Sequence, residues 1–296
     1  MVKTDAAIWF AKFGATCALL LTCCWADPRA FTNLPQFPPT TTDQQQVIVF
    51  DRYFQLPVLD VALVGSSLSY RLKEEFFEHG NVRNAAIPGG SPLTGLAIIG
   101  AAPTLRPRVI AVETNILNRG IDDNLYQKFK NAKRSDDTLR PLRTLAAYYQ
   151  SALDDALTFS EAKRRSILER PAAAPNIERG IATALAEWNN PDYDESYLKD
   201  AKTLNSLVEK LEDQGVTIFF FEMPYTPILN QTRYVTMVRK ALEQVFRLSN
   251  NRWLNLEYPA DEMRWSGDGA HLDERSALIF ASALDKAIGK KLMTAH

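Results

Sequence analysis

The sequence predicts an α/β fold: a three-layer α/β/α sandwich around a mostly parallel sheet, with a helical insertion and an N-terminal membrane helix or signal. Three observations carry this. "VALVG", "RVIAVETN" and "VTIFFFEMP" are continuous apolar runs rather than alternating ones, the pattern of strands buried on both faces. Helical patterns separate these runs, as crossover connections between parallel strands require. The three cysteines, Cys17, Cys23 and Cys24, all precede residue 25, so disulfides cannot staple the body together and packing must hold it.

The elements follow in order. The run at 61–65 ends in Gly65 and leads into "SLSYRLKEEFFEHG", which has an amphipathic helical face. "RNAAIPGG" reads as a short second strand closing on a glycine pair. "SPLTGLAIIGAAPTL" predicts a helix with Ser91 as N-cap and Pro92 at its first position. The third strand, 108–115, precedes a long, charged, mostly helical segment from about Asn118 to Glu195, read as an insertion beside the sheet. It serves either as a solvated helical cap or as a lid or acceptor-binding surface. "SYLKDAKTLNSLVEKLEDQG" predicts an amphipathic helix ending at Gly215. A strong strand, the helix "TRYVTMVRKALEQVFRLSN", a short strand "RWLNLE" and the final helix "DERSALIFASALDKAIGKKL" complete the chain.

The beginning has a different character. From Ala6 to Ala26 only Lys12 interrupts an apolar stretch. About twenty such residues suffice to cross a bilayer, and a lysine near one end can snorkel to the headgroups. The uninterrupted part, Phe13 to Ala26, is instead the size of a signal-peptide core. Four readings stay open: a retained signal anchor, a cleaved export signal, lipoprotein processing at Cys23 or Cys24, and a buried N-terminal helix. The first three export the body. Residues 27–45, rich in Pro, Thr and Gln, read as a linker, so the expected organisation is 1–26 anchor or signal, 27–45 linker and 46–296 folded domain, with the insertion at about 118–195. A formal net charge of −1 gives no electrostatic case for nucleic acid. No internal repeat, CxxC or HExxH cluster is present, and neither a metal nor a cofactor is expected.

In open parallel sheets, ligands gather beyond the carboxyl ends of the strands. The strand ends here carry Gly65-Ser66-Ser67, Gly89-Gly90 and Glu113-Thr114-Asn115, and the last loop carries Asp268-Gly269-Ala270-His271. A hydroxyl nucleophile, a histidine base, an orienting carboxylate and oxyanion donors are the parts that acyl transfer needs. Each has a plainer reading. Ser67 could cap the helix after the first strand, the glycine pair could make a tight turn, and Asn115 and Asp268 could brace loops. Of the three histidines, His79 reads as a helix-end cap and His296 is the last residue, which leaves His271 as the base.

In this order the blocks resemble those of the SGNH (GDSL-like) hydrolase superfamily. The resemblance spans about residues 60–290. It implies a flavodoxin-like α/β/α fold and a serine acyl hydrolase. Ser67 stands where the family has its nucleophile, Gly90 (or its neighbour Gly89) at the oxyanion glycine, and Asn115 at the oxyanion asparagine. Asp268 and His271 match the DxxH pair. The chain departs from the pattern at Ser66, where an aspartate is usual, so Ser66 competes with Ser67 as nucleophile if the alignment slips. It departs again at Glu113, where glycine is usual, and at Ile116, where aspartate often stands.

The resemblance and the export-like N-terminus imply an esterase acting on O-acyl, especially acetyl, esters of an envelope or secreted polysaccharide. The implied place is a bacterial periplasm or cell envelope, tethered to the inner membrane by the N-terminal segment. Two alternatives stand beside it: a polysaccharide O-acetyltransferase using the same site, and a catalytically inactive scaffold that binds glycan. Trp265 either stacks on a sugar ring or packs beneath the catalytic loop.

Overall fold

A computed structural model of the chain describes residues 2–26, 41–54, 60–78, 82–102, 106–131, 159–171, 178–246 and 251–294. Four strands form one sheet: β1 (Val61–Val64), β2 (Val82–Asn84), β3 (Val109–Glu113) and β4 (Thr217–Phe221). Their order is β2-β1-β3-β4 and every pairing is parallel. Every residue of β1 and β3 is buried, which is why those runs carry no alternation. Val64 pairs with Val112 and Glu113 with Phe221, so β1, β3 and β4 end close together along one edge of the sheet.

Helices supply the connections: α2 (Thr42–Tyr53), α3 (Ser67–Tyr70), α4 (Pro92–Gly100), α5 (Asp123–Phe129), α6 (Glu161–Leu168), α7 (Glu178–Trp188), α8 (Asp194–Glu212), α9 (Arg233–Phe246) and α10 (Glu274–Thr294). Successive β4 residues point to opposite faces. Phe220 meets Phe246 of α9, while Phe221 meets Phe280 of α10. Helix α8 packs on both α4 and α9, which gathers these three on one face. α10 lies on the other, with α6 beside it. The arrangement is compatible with a three-layer α/β/α sandwich.

Three local expectations are corrected. The helix expected after β1 stops after Tyr70 and is followed by a 3-10 turn at Glu74–Phe76. Asn84 Nδ2 bonds the carbonyls of Ser69 (2.8 Å) and Leu72 (2.7 Å), acceptors that a continuing helix would use itself. Glu74 is drawn aside by Arg83 (2.7 Å) and the Asn84 N–H (3.0 Å). "RWLNLE" makes only an isolated bridge, Trp253 beside Phe220, rather than a fifth strand. At the front of the domain, residues expected to end the linker already belong to α2, which buries Val49, Phe50 and Tyr53. The sequence pattern failed there because the three glutamines 44–46 disguise one turn of helix.

The larger compact unit comprises residues 42–134 and 159–296. Helix α1 (Val2–Ala26) lies outside it. Among the described residues no helix is long and apolar enough to cross a membrane, so the expected N-terminal membrane helix is not found. Lys12 breaks the apolar run of α1, and the hydroxyls of Thr16 and Thr22 bond back to the carbonyls of Lys12 and Ala18. Residues 27–40 of the expected linker, most of "DDTLRPLRTLAAYYQSALDDALTF", His79 and His296 lie outside the described residues. Of the expected insertion, α5, α6 and α7 are described; Leu125, Phe129 and Ile167 are buried in the core.

Candidate active site

The turn after β1 presents the candidate nucleophile. Ser66 is the N-cap of α3, and its hydroxyl accepts from the Leu68 N–H at 3.2 Å. Ser66 itself is wholly buried and its Oγ lies 3.0 and 2.9 Å from the two oxygens of Glu113. Ser67, one residue on, is half-buried, with Oγ 2.8 Å from Nε2 of His271. Of the two competing serines, the geometry brings Ser67 to the imidazole and turns Ser66 inward.

Glu113 gathers the donors of this turn. Oε2 accepts from the backbone N–H of Ser66 (2.8 Å) and of Ser69 (3.3 Å) and from the Ser69 hydroxyl (2.7 Å). Burial raises its pKa, and these three bonds with the one from the Ser66 hydroxyl only partly offset that. None of them uses the Ser67 N–H, which sits at the first position of α3.

The loop before α10 delivers the candidate base, His271, and the carboxylate of Asp268 together. Asp268 Oδ1 accepts from the N–H groups of Ala270 and His271 and from the Ser266 hydroxyl, each at 3.0 Å. Gly269 holds φ at +72°, a left-handed conformation that glycine adopts freely, and its N–H closes the turn onto Ser266 O at 3.0 Å. Asp268 Oδ2 is then in close contact with His271 Nδ1. A carboxylate only accepts, so Nδ1 carries the proton and the Nε2 lone pair faces Ser67. Burial works to raise the Asp268 pKa, but the bonds from the His271 ring and from the His271 and Ala270 N–H groups outweigh it. The carboxyl is held well below the usual carboxylate range.

Two structures support this loop from outside. Trp265 pairs with Leu272 across the loop, and its indole N–H donates to Pro224 O at 3.1 Å, just beyond β4. That bond is the packing role; the sugar-stacking role finds no support in it. Helix α7 crosses the loop backbone at Gly180, where a Cβ would come within 2.6 Å of Asp268 Cα. Ile181 in turn fills the space over Gly269, where a Cβ would meet its Cγ1 at 2.7 Å.

The expected oxyanion donors divide. The Gly90 N–H is used in a turn, donating to Ile87 O at 2.9 Å, so Gly90 is not available as expected. The reason is local: Ile87-Pro88-Gly89-Gly90 places Pro second and Gly89, with φ +73°, third, which is the signature of a type II turn. Gly89, the alternative, keeps its N–H out of the bond that closes this turn. Asn115 is buried and paired twice with the Met223 backbone, Nδ2 to O at 2.9 Å and Oδ1 from N at 2.7 Å. An amide nitrogen carries two hydrogens, so one N–H of Asn115 remains beyond that pairing.

The structure thus brings Ser67, Asp268 and His271 together at the carboxyl ends of the strands. Sequence reasoning missed two contributors. Glu113 left a signal, an acid closing an otherwise apolar strand; Gly180 left none, since its contact is with residues far along the chain. Among the described residues no cluster of His, Cys, Asp and Glu could hold a metal ion. In comparisons with known proteins, no family model, no curated protein and no solved structure matches this chain.

Proposed function

We propose that this chain is a serine acyl hydrolase of SGNH type that removes O-acyl groups, acetyl above all, from an envelope or secreted polysaccharide. The observation that carries the reading is the continuous chain from Ser67 Oγ through the His271 ring to Asp268, with Oγ 2.8 Å from Nε2. Nε2 takes the Ser67 proton as Oγ attacks the ester carbonyl, and the carbonyl π pair moves onto oxygen. The oxyanion is held by the Ser67 N–H, the second N–H of Asn115 and the Gly89 N–H in place of that of Gly90. Each such donor is worth about 3 kcal/mol in the transition state. Collapse expels the sugar alkoxide, which takes the proton from His271; water then repeats the sequence and releases the acid. Asp268 keeps the imidazole in the required tautomer and stabilises the imidazolium.

The substrate class rests on the resemblance and on the export-like N-terminus, since a fold does not by itself fix a substrate. The same grounds support a periplasmic or envelope location, with Phe13–Ala26 acting as the core of an export signal. The test is labelling with a fluorophosphonate probe together with acetate release from p-nitrophenyl acetate. Labelling and turnover that disappear in Ser67→Ala support the assignment. A wild-type protein that neither labels nor turns over defeats it, in favour of an inactive scaffold. Adding an oligosaccharide acceptor separates hydrolysis from transfer: acetate appearing on the sugar identifies an O-acetyltransferase.

A further inference from the structure

We infer that Glu113 is a positioning residue of the nucleophile turn, tying the backbone on both sides of Ser67 so that its hydroxyl is held against His271. This rests on the reading of Ser67 as the nucleophile. The carboxylate comes from the end of β3, the strand next to β1, and reaches under the turn. There it bonds the N–H and hydroxyl of Ser66 on one side and those of Ser69 on the other. Leu68 N–H is taken by Ser66 Oγ and Tyr70 N–H by Ser66 O (3.1 Å), so each N–H flanking Ser67 has an acceptor.

Gly65 makes the approach feasible. A Cβ there would lie 2.6 Å from Glu113 Oε2 and 2.7 Å from its Cβ. The position cannot carry a side chain while the carboxylate occupies its place. Gly65, Ser66, Ser69 and Glu113 therefore form one fitted set. Ser66, Ser69 and Glu113 each have 0% exposure, so outside solvent does not reach a bond lost among them.

Two of the three departures from the resembled pattern, Ser66 and Glu113, form one exchange. The carboxylate usual at position 66 is absent, and a carboxylate appears at position 113, in contact with residue 66. Surrounded by donors, Glu113 acts by holding; it makes no bond to Ser67 or His271, so its effect on the reaction passes through the geometry of the turn.

The experiment compares Glu113→Gln, Glu113→Leu and Ser69→Ala in the full chain. Fluorophosphonate labelling rate, kcat and KM are measured, with the ¹⁵N signals of the His271 ring as a readout that needs no turnover. Glutamine keeps an acceptor toward the Ser66 and Ser69 N–H groups and should stay within about 3-fold of wild type, whereas Ser69→Ala should label about 10-fold more slowly and Glu113→Leu about 100-fold, with KM nearly unchanged. The Nε2 signal should move in the last two variants, as the bond from Ser67 lengthens. Should Glu113→Leu fail to fold, Ser69→Ala alone decides. A folded Ser69→Ala with wild-type labelling and unmoved ring signals overturns the proposal. If wild-type protein does not label, the acyl-transfer reading fails, and the ring signals still decide whether Glu113 positions the turn.

Discussion

The two halves of the site are built in opposite ways. The Ser67 turn stands on a buried carboxylate brought from the neighbouring strand, with Ser66, Ser69 and Glu113 all without exposure. The Asp268–His271 loop is organised by its own backbone, and its side chains keep 46% and 21% of their exposure. One half depends on long-range burial, the other on a local hydrogen-bonded turn braced by Gly180 of α7. A residue inside the first should therefore affect stability and rate together. One inside the second should affect rate with a smaller change in stability.

The largest effects test whether the halves act as one unit. Ser67→Ala or His271→Ala should lower turnover on p-nitrophenyl acetate by about 10⁴-fold or more, and the double variant should be no worse, since members of such a unit are not additive. Asp268→Asn should lose about 10³-fold or more through the wrong tautomer, with a smaller loss of stability than a substitution at Glu113.

Stability separates the halves next. Glu113→Leu leaves several buried donors without a partner and should lose about 3–5 kcal/mol in urea denaturation. Equal losses at Glu113→Leu and Asp268→Asn would erase the contrast. An intermediate effect is expected at Gly180→Ala, whose new methyl would press on the Gly267–Asp268 backbone. A displacement there should cost about 10- to 100-fold in kcat with the nucleophile still labelled slowly.

Acid sharpens the comparison further. Asp268 is depressed in the folded state, so below its unfolded pKa the unfolded chain binds more protons and stability rises with pH. The stability that wild type holds over Asp268→Asn should be complete above about pH 4 and should fade as pH drops through the depressed folded value. Thermal midpoints of the two proteins across pH 2–6 measure it; a difference that grew on acidification would contradict the assignment. The smallest effect lies at the rim. Glu274 pairs with Lys73 (2.7 Å) and Arg170 (2.6 Å), all with substantial exposure. Lys73→Ala should change stability by less than about 1 kcal/mol and leave labelling unaltered.

Legibility along the chain followed the range of the forces involved. The runs of β1, β3 and β4 and the amphipathic stripes of α8 and α9 are local patterns, and the sequence predicted all five. The helix expected after β1 failed because Asn84 and Glu74, set by β2, interrupt it. At the site, Asp268 and His271 are three residues apart, so their partnership was readable. Ser67 lies 204 positions from His271, and only their shared place at strand ends suggested a meeting.

By itself, then, the sequence determined the α/β class, the parallel sheet and the parts present at its strand ends, because burial periodicity and turn chemistry are written in consecutive residues. Tertiary structure alone decided that Ser67 rather than Ser66 faces the imidazole. It also decided that the Gly90 N–H is taken by a turn, that Glu113 underlies the Ser67 turn and that Gly180 admits a helix onto the Asp268 loop. Each of these depends on which distant atoms compete for one hydrogen bond or one Cβ volume. That competition exists only once the strands are side by side.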